Sequence, residues 1–260
     1  MITETADQLA PCAVDPAFDG APEQPRIGLV LLATDLTSEL EFARHCPPSD
    51  ASVHACRIAY ENPTTPRNLE HMLPRLEAGA ALLLPGETLD AIYYACTAAT
   101  VVIGETPIRE AVQRAKPGVP VVTPPGAARM ALEALGARRI SILTPYLAET
   151  SRPIAEWFEA AGFGLSNLSY MGLEDDRQMA RMARRSIVEA AVAATHRDAE
   201  ALFISCTALR SVAAVEEIEA LVGRPVVTSN QAGLWLSRRL AGVARPLSGL
   251  GQLFSLAEPA

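Results

Sequence analysis

Short apolar runs alternate with amphipathic stretches along most of this chain. Eight such runs lie at residues 26–31, 53–58, 91–95, 120–123, 140–143, 165–170, 201–205 and 225–228. Continuous apolar runs of this length are typical of strands that are buried on both faces of a parallel sheet. The pattern therefore predicts eight strands.

Helical patterns occupy the stretches between these runs. From residue 66 to residue 80, apolar side chains recur at three- and four-residue steps. Pro66 suits a first helical turn, whereas Pro74 predicts a kink or a later start. The same periodicity predicts helices at residues 127–135, 153–161, 176–194, 212–221 and 231–240. Strands that alternate with helices predict an α/β fold with parallel sheets.

The second part of the chain repeats features of the first. Residues 91–99 read A-I-Y-Y-A-C-T-A-A and residues 201–209 read A-L-F-I-S-C-T-A-L, which sets Cys96 and Cys206 110 positions apart. The motif P-V-V-T begins at residue 120 and again 105 positions later, followed each time by a short helical pattern. Features that recur in the same order at nearly the same offset indicate a duplicated unit.

The repeat predicts two similar α/β halves, each a four-stranded, mostly parallel sheet flanked by helices, related by a pseudo-twofold axis. We expect the first half at residues 26–136 and the second at residues 137–260, with the segment from about residue 230 packing back on the first half. Residues 1–25 contain four prolines and little apolar periodicity, so they are expected to form a flexible leader.

Both repeated cysteines follow a predicted strand. Ligands of open parallel sheets bind beyond the carboxyl ends of the strands, so Cys96 and Cys206 are expected to face one another across one cleft. A cysteine that only fills a core has no reason to recur at the same turn in both halves. A helix start beside each thiol would favour the thiolate and offer free amides to a small carboxylate, with the hydroxyls of Thr97 and Thr207 as further donors. For Cys12, Cys46 and Cys56, which lack this repetition, a packing role is favoured.

Composition narrows the classes of function. A formal net charge of −8 and a pI near 5.1 argue against a nucleic-acid partner. No run reaches the ~20 apolar residues of a membrane span, and Glu4 and Asp7 stand where a secretory signal would carry positive charge. A cytoplasmic protein is therefore expected. The five cysteines and four histidines show no metal-ligand spacing, and no glycine-rich nucleotide motif is present, so we expect no metal and no cofactor.

Two opposed thiols permit two reactions without a cofactor. In the first, a thiolate removes a proton from one face of a stereocentre and the other thiol returns a proton to the opposite face. In the second, a thiolate adds to a double bond, the adduct rotates, and elimination gives the other geometric isomer. Both reactions suit a small carboxylate substrate.

Four segments carry a resemblance to a known family. They read R-R-I-S-I-L-T-P-Y at 138–146, F-I-S-C-T-A-L-R-S at 203–211, G-R-P-V-V-T-S-N-Q-A-G-L-W at 223–235 and A-R-P-L-S-G-L-G-Q-L-F at 244–254. Together they resemble the aspartate/glutamate racemase superfamily, in its branch of maleate cis-trans isomerase and arylmalonate decarboxylase. The resemblance spans about residues 26–256. Within the branch, the chain is most similar to decarboxylase-like proteins linked to ectoine utilisation.

The resemblance implies a role for individual residues. Cys96 and Cys206 would be the catalytic pair, and Tyr146 would hydrogen-bond the substrate carboxylate. The alternative for Tyr146 is a half-buried aromatic residue of a loop. The remaining implied donors to the carboxylate, through backbone amides or hydroxyls, are Thr97, Ala98, Thr207 and Ala208.

Two positions depart from the pattern of the family. Arylmalonate decarboxylases have glycine at the position of Cys96, so two cysteines favour isomerisation or racemisation over decarboxylation. Maleate isomerases carry asparagine in the loop after the first strand, where this chain reads L-A-T-D and has Asp35. An aspartate repels a second substrate carboxylate and attracts an amine or amide. Asp35, helped by Asp175 or Asp176, is therefore expected to select a nitrogen-containing acid; the alternative is that Asp35 caps a helix at 36–43.

The leading hypothesis is an isomerase or racemase of a small, nitrogen-containing carboxylate, in line with ectoine or hydroxyectoine breakdown. A decarboxylase that uses Cys206 as proton donor is the first alternative. A cytoplasmic ligand-binding module is the second, because paired α/β halves around a cleft also describe solute receptors. A thiol-redox role is the least favoured. The sequence leaves open whether the chain forms a homo-oligomer.

Overall fold

Two parallel four-stranded sheets form the framework of the protein. The computed structural model describes residues 11–20 and 24–256 of the chain. In the first sheet, β1 (Arg26–Leu32), β2 (Ser52–Ile58), β3 (Ala91–Tyr94) and β4 (Val121–Val122) lie in the order β2-β1-β3-β4. In the second, β5 (Arg139–Thr144), β6 (Gly164–Tyr170), β7 (Ala201–Ile204) and β8 (Val226–Thr228) lie in the equivalent order β6-β5-β7-β8. All pairings are parallel, and the eight predicted strands are confirmed.

Helices cover the faces of both sheets. In the first part of the chain they are α1 (Ser38–His45), α2 (Pro66–Glu70), α3 (Leu73–Ala81), α4 (Thr97–Ile103), α5 (Glu105–Ala115) and α6 (Pro124–Ala134). In the second part they are α7 (Ala148–Ala160), α8 (Asp176–Ala180), α9 (Arg184–Ala194), α10 (Val215–Val222) and α11 (Ser229–Leu240). Short 3-10 turns lie at Val212–Ala214 and Gln252–Ser255. None of the helices within the described ranges is long and apolar enough to cross a membrane.

The sequence pattern agrees with the helices at one break and departs from them elsewhere. The break that Pro74 predicts is present, because α2 ends at Glu70 and α3 begins at Leu73. The single helix predicted at 176–194 is wrong, since Ala183 is extended and separates α8 from α9. The periodicity also misses α5 and α4, although the repeat predicts a helix start beside Cys96. The T-A-A-T-V-V-I sequence of α4 is rich in β-branched residues that favour helices poorly. Tertiary packing overrides that preference, because the first four residues of α4 are buried.

Burial explains why the strands read as apolar runs. In β1, every residue from Ile27 to Leu32 is buried, because helices cover both faces of the sheet. The last helix, α11, contacts α6, α1 and β3, all of which precede residue 137 in the chain. Its Arg238 donates a hydrogen bond to the carbonyl of His45 and forms a buried ion pair with Asp50.

Only part of the expected leader can be compared with the structure. Residues 11–20 are exposed and carry no helix or strand. Residues 1–10 and 21–23 of the same segment lie outside the described residues.

Candidate active site

The carboxyl ends of β3 and β7 bring the two repeated cysteines together. Each strand ends two residues before its cysteine, at Tyr94 and at Ile204. Cys96 and Cys206 line the same pocket, and only 6% and 4% of their surfaces are exposed. The parallel topology places both strand ends at this pocket, because each thiol follows an interior strand of its sheet.

Most of the predicted site residues line this pocket. Besides the two cysteines they are Asp35, Ala98, Tyr146, Thr207 and Ala208. Thr97 does not line it and is fully buried. The cavity measures about 20 Å³, which is room for one water molecule. The space beside the thiols is therefore narrow.

The hydroxyls of Thr97 and Thr207 form hydrogen bonds within the protein. The Thr97 hydroxyl hydrogen-bonds the hydroxyl of Ser229 at 2.8 Å, and the Thr207 hydroxyl donates to the carbonyl of Ala95 at 3.0 Å. Each of these hydrogen bonds joins one half of the protein to the other. What stays available beside Cys96 is the backbone, since the first amides of a helix such as α4 have no intrahelical partner.

Burial controls the protonation of Cys96. It raises the pKa of this thiol to about 12, although the amide of Ala99 donates to the sulfur and opposes the shift. Cys96 is the N-cap residue of α4, as the predicted helix start requires. The loss of hydration of the thiolate outweighs the helix start, so Cys96 is a neutral thiol at neutral pH.

Cys206 differs from Cys96 in backbone conformation but is also a neutral thiol. Its φ of +105° is rare for a residue other than glycine, and the next α-helix along the chain begins only at Val215. The expectation of a helix start at this thiol is therefore wrong. Burial raises the pKa of Cys206 to about 11, against hydrogen bonds from the Tyr146 hydroxyl and the Ala208 amide. The Ala208 nitrogen lies 3.3 Å from the sulfur.

The carboxylate of Asp35 lies at the start of helix α1. It accepts hydrogen bonds from the amides of Thr37 and Ser38, both at 2.8 Å, and from the Ser38 hydroxyl at 2.7 Å. The helix begins two residues later than predicted, and its N-cap residue is Thr37 rather than Asp35. Burial raises the pKa of Asp35 above its usual range. The residue also lines the pocket, so hydrogen bonds to the helix start and substrate contact are compatible.

Asp176 supplies a second carboxylate to the pocket lining. It accepts hydrogen bonds from the Thr34 hydroxyl and from the Asn62 amide, the latter at 2.7 Å. The neighbouring Asp175 lies outside the pocket lining and pairs with Arg177, which lowers the pKa of Asp175 to about 2. Among the residues that the structure describes, no lysine or arginine lines the pocket.

Sequence reasoning missed part of the pocket wall. Tyr60 and Thr64 line it, and their hydroxyls lie 2.7 Å apart. They belong to the segment Y-E-N-P-T-T between β2 and α2, which has no counterpart in the internal repeat. Its turn residues signal a loop but not its position over the thiols.

The residues after the last strand lie behind the thiols. Ser229 accepts a hydrogen bond from the Cys206 amide at 3.0 Å. The Asn230 amide donates to the carbonyl of Thr207 at 2.8 Å and to the buried carboxylate of Glu41 at 2.7 Å. The capping role of this segment belongs to Thr228, which forms a capping box at the start of α11.

Paired α/β halves that meet at a pocket with two cysteines define a cysteine-dependent enzyme of the aspartate/glutamate racemase type. The chain belongs to the arylmalonate decarboxylase family, whose model matches residues 79–254.

Known relatives agree with this assignment. The chain is 27% identical over 240 residues to a maleate isomerase of Nocardia farcinica (strain IFM 10152), covering 88% of this chain and 94% of that protein. It is 32% identical over 142 residues to an arylmalonate decarboxylase of Bordetella bronchiseptica, covering 53% and 58% of the two chains. A Nocardia farcinica maleate cis-trans isomerase variant with a covalently bound succinylcysteine intermediate superposes with a TM-score of 0.80, at 24% identity and over 88% of this chain and 98% of that one. The expectation of an isomerase, with a decarboxylase as the alternative, fits these relatives.

Proposed function

We propose that the protein is a cofactor-independent isomerase or racemase that uses Cys96 and Cys206 on a small carboxylate carrying a cationic nitrogen. The observation that carries the proposal is the composition of the pocket. Two thiols and two aspartates, Asp35 and Asp176, line one cavity without a lysine or arginine among the described lining residues.

The thiols can act in either of two balanced sequences. In racemisation, one thiolate takes the α-proton, the charge spreads into the carboxylate, and the opposite thiol protonates the other face, so that thiol and thiolate exchange places. In cis-trans isomerisation, one thiolate adds to the alkene, the new single bond rotates, and elimination restores both alkene and thiolate. The succinylcysteine intermediate of the Nocardia protein supports the second sequence for that relative.

The carboxylate of the substrate needs hydrogen-bond donors in the absence of a cation. The backbone amides of Thr97 and Ala98 at the start of α4 can provide them, as can those of Thr207 and Ala208. We expect the Tyr146 hydroxyl, which contacts the Cys206 thiol, to bridge thiol and substrate. Together these donors would stabilise the charge that develops when the α-carbon loses its proton.

The acids of the pocket argue for a positive charge at the other end of the substrate. A carboxylate about 4 Å from an ionised aspartate is repelled by ~4 kcal/mol at an effective dielectric of about 20, and an ammonium is attracted by as much. A bound ammonium also lowers the pKa of a nearby thiol. Since burial alone keeps Cys96 and Cys206 neutral, such a substrate would assist its own activation. Acids derived from ectoine combine carboxylate and nitrogen, and we include them in the proposed substrate class.

A four-carbon series tests the proposal directly. L-Aspartate, L-asparagine and L-2,4-diaminobutyrate share a carbon skeleton and end in a carboxylate, an amide and an ammonium. Incubation in heavy water should place deuterium at the α-carbon of both enantiomers, fastest for the diamine, as followed by NMR and chiral chromatography. A preference for L-aspartate or for maleate would contradict the charge argument.

A single substitution separates the role of Asp176 from the fold. We expect Asp176→Asn to lower kcat/KM for the diamine roughly tenfold or more, the equivalent of ~1.4 kcal/mol, and to raise it for L-aspartate. Asp175→Asn is the matched control, because asparagine still caps a helix and residue 175 lies outside the pocket lining. Equal effects of the two substitutions on the charge preference would refute selection by Asp176.

Decarboxylation is the second candidate, and the family match favours it. In that reaction Cys206 protonates a planar enediolate after carbon dioxide leaves, and Cys96 takes no part. Phenylmalonate is the probe. Carbon dioxide release that survives Cys96→Ala would establish the decarboxylase. Conversion of the four-carbon series that requires both cysteines, without carbon dioxide release from phenylmalonate, supports the isomerase.

A further inference from the structure

One hydroxyl lies between the two cysteine turns. The Ser229 Oγ accepts the backbone N–H of Cys206 at 3.0 Å and hydrogen-bonds the Thr97 hydroxyl, next to Cys96, at 2.8 Å. Ser229 is fully buried at the start of α11 and does not line the pocket. It therefore touches both turns from behind, without access to a substrate.

A second hydrogen bond links the two cysteine turns in the opposite direction. The Thr207 hydroxyl, next to Cys206, donates to the carbonyl of Ala95, the residue before Cys96. The threonine after each cysteine thus forms a hydrogen bond to the other half of the protein. Thr207 contacts the turn of Cys96 directly, whereas Thr97 is linked to the turn of Cys206 through the Ser229 hydroxyl. The backbone of Ser229 is fixed in turn, because the Tyr93 hydroxyl donates to its carbonyl at 3.2 Å.

We propose that Ser229 is a positioning residue that sets the placement of the Cys96 thiol relative to the Cys206 thiol. The inference rests on the proposed two-thiol function. A stereocentre inverts only when the second thiol stands on the opposite face at the moment when the first has removed the proton. Loss of the Ser229 hydroxyl leaves the Cys206 amide without its acceptor and frees the Thr97 side chain, so the turns can shift independently.

The test compares two serine-to-alanine substitutions in one helix. Ser237 also lies in α11, is fully buried, and its hydroxyl has no hydrogen-bond partner among the described residues. Ser237→Ala therefore controls for the loss of a buried hydroxyl from this helix. Both variants are assayed in heavy water with the most rapidly converted member of the four-carbon series, and α-deuterium exchange is measured separately from inversion.

We expect Ser229→Ala to raise the ratio of exchange to inversion roughly tenfold. With a misplaced partner, the first thiol has time to exchange the proton that it removed for a deuteron of the solvent, and it then returns that deuteron to the same face. Ser237→Ala should leave the ratio unchanged. A merely structural role of Ser229 would lower both rates by the same factor, and that result would overturn the proposal. Should Ser229→Ala fail to fold, Thr97→Val removes the same tie from the other end with little change in shape.

Backbone amide exchange supplies a readout that needs no substrate. The peptide that contains Cys206 should lose protection in Ser229→Ala, roughly tenfold for the lost acceptor of the Cys206 amide, and it should keep its protection in Ser237→Ala. The Cys96 amide donates to the carbonyl of Tyr94 and is the internal reference. Unchanged protection at Cys206 would overturn the proposed tie. If the wild-type protein converts no member of the series but the two variants show this difference in amide exchange, the proposed function is refuted and the link between the cysteine turns through Ser229 is established.

Discussion

At the scale of single residues, the backbone at Cys206 is the most unusual feature of the site. Its φ of +105° lies in the region that favours glycine, and the following turn brings the Ala208 amide to 3.3 Å from the sulfur. Side chains with a Cβ are strained in this region by about 1 kcal/mol or more. The turn thus holds a thiol where the backbone alone would prefer glycine.

We expect Cys206→Gly to be more stable than Cys206→Ala by about 1 kcal/mol, because glycine relieves the strain whereas both substitutions remove the thiol. Cys96 provides the matched comparison, since its φ of −151° is ordinary extended backbone. There the order should reverse, because glycine increases the entropy of the unfolded chain. Chemical denaturation of the four variants measures the difference, and the same order at both positions would contradict the strain argument.

At the scale of elements, helix α11 joins the second half to the first. It begins with the capping box of Thr228 and Gln231, and its first turn carries Ser229 and Asn230 behind the cysteines. Gly233 lets the helix approach β3, because a Cβ at this position would lie 2.3 Å from the ring of Tyr93. The close approach explains a glycine inside a helix, where it normally costs about 1 kcal/mol relative to alanine.

Gly233→Ala should therefore destabilise the protein by about 1–3 kcal/mol despite its better helix propensity, because overpacking against Tyr93 outweighs the gain. The midpoint of chemical denaturation measures the effect. Gly164→Ala is the control, since its Cβ would meet nothing closer than 3.8 Å. A stabilised Gly233→Ala variant would show that α11 does not need its close approach.

At the scale of the whole molecule, polar contacts hold the halves together around the pocket. The Thr37 hydroxyl donates to the carbonyl of Ala208 at 2.7 Å, and the Thr150 hydroxyl donates to the carbonyl of Thr64 at 2.9 Å. Glu41 of α1 is a buried ionisable residue of this interface. Its carboxylate accepts hydrogen bonds from Asn230 and from the amide of Val212, yet burial raises its pKa to about 8.

The raised pKa makes the interface sensitive to pH. Between the usual pKa of Glu41, 4.5, and about 8, the folded protein holds a proton that the unfolded chain has lost. The free energy of unfolding therefore falls as the pH rises through this window, by at most ~1.4 kcal/mol per pH unit. Glu41→Gln should lack this contribution, so wild type should lose stability relative to the variant between pH 5.5 and pH 8.

Urea denaturation at several pH values measures this difference. Glu39→Gln on the same helix is the control, because the Glu39 side chain is 47% exposed. If the difference in the free energy of unfolding between wild type and Glu41→Gln stays constant from pH 5.5 to pH 8, Glu41 does not hold a proton in the folded protein.

The framework was largely predictable from the sequence, because its signals are local. Each strand buried on both faces appears as an apolar run, and the break between α2 and α3 follows from Pro74. Helix α4 escaped prediction because its β-branched residues are helical only through burial against the rest of the fold. The repeat of Cys96 at Cys206 identified the pair of thiols without any structural information.

The properties of the site depend on contacts that no local pattern encodes. The sequence by itself determined the two parallel sheets and the duplicated cysteine turns. Only the tertiary structure decided that Asp176 joins the pocket, that the Thr97 hydroxyl bonds Ser229, and that burial keeps both thiols neutral. The physical reason is that desolvation and hydrogen-bond partners are set where chain segments 100 or more residues apart meet, whereas apolar periodicity and capping act within a few residues.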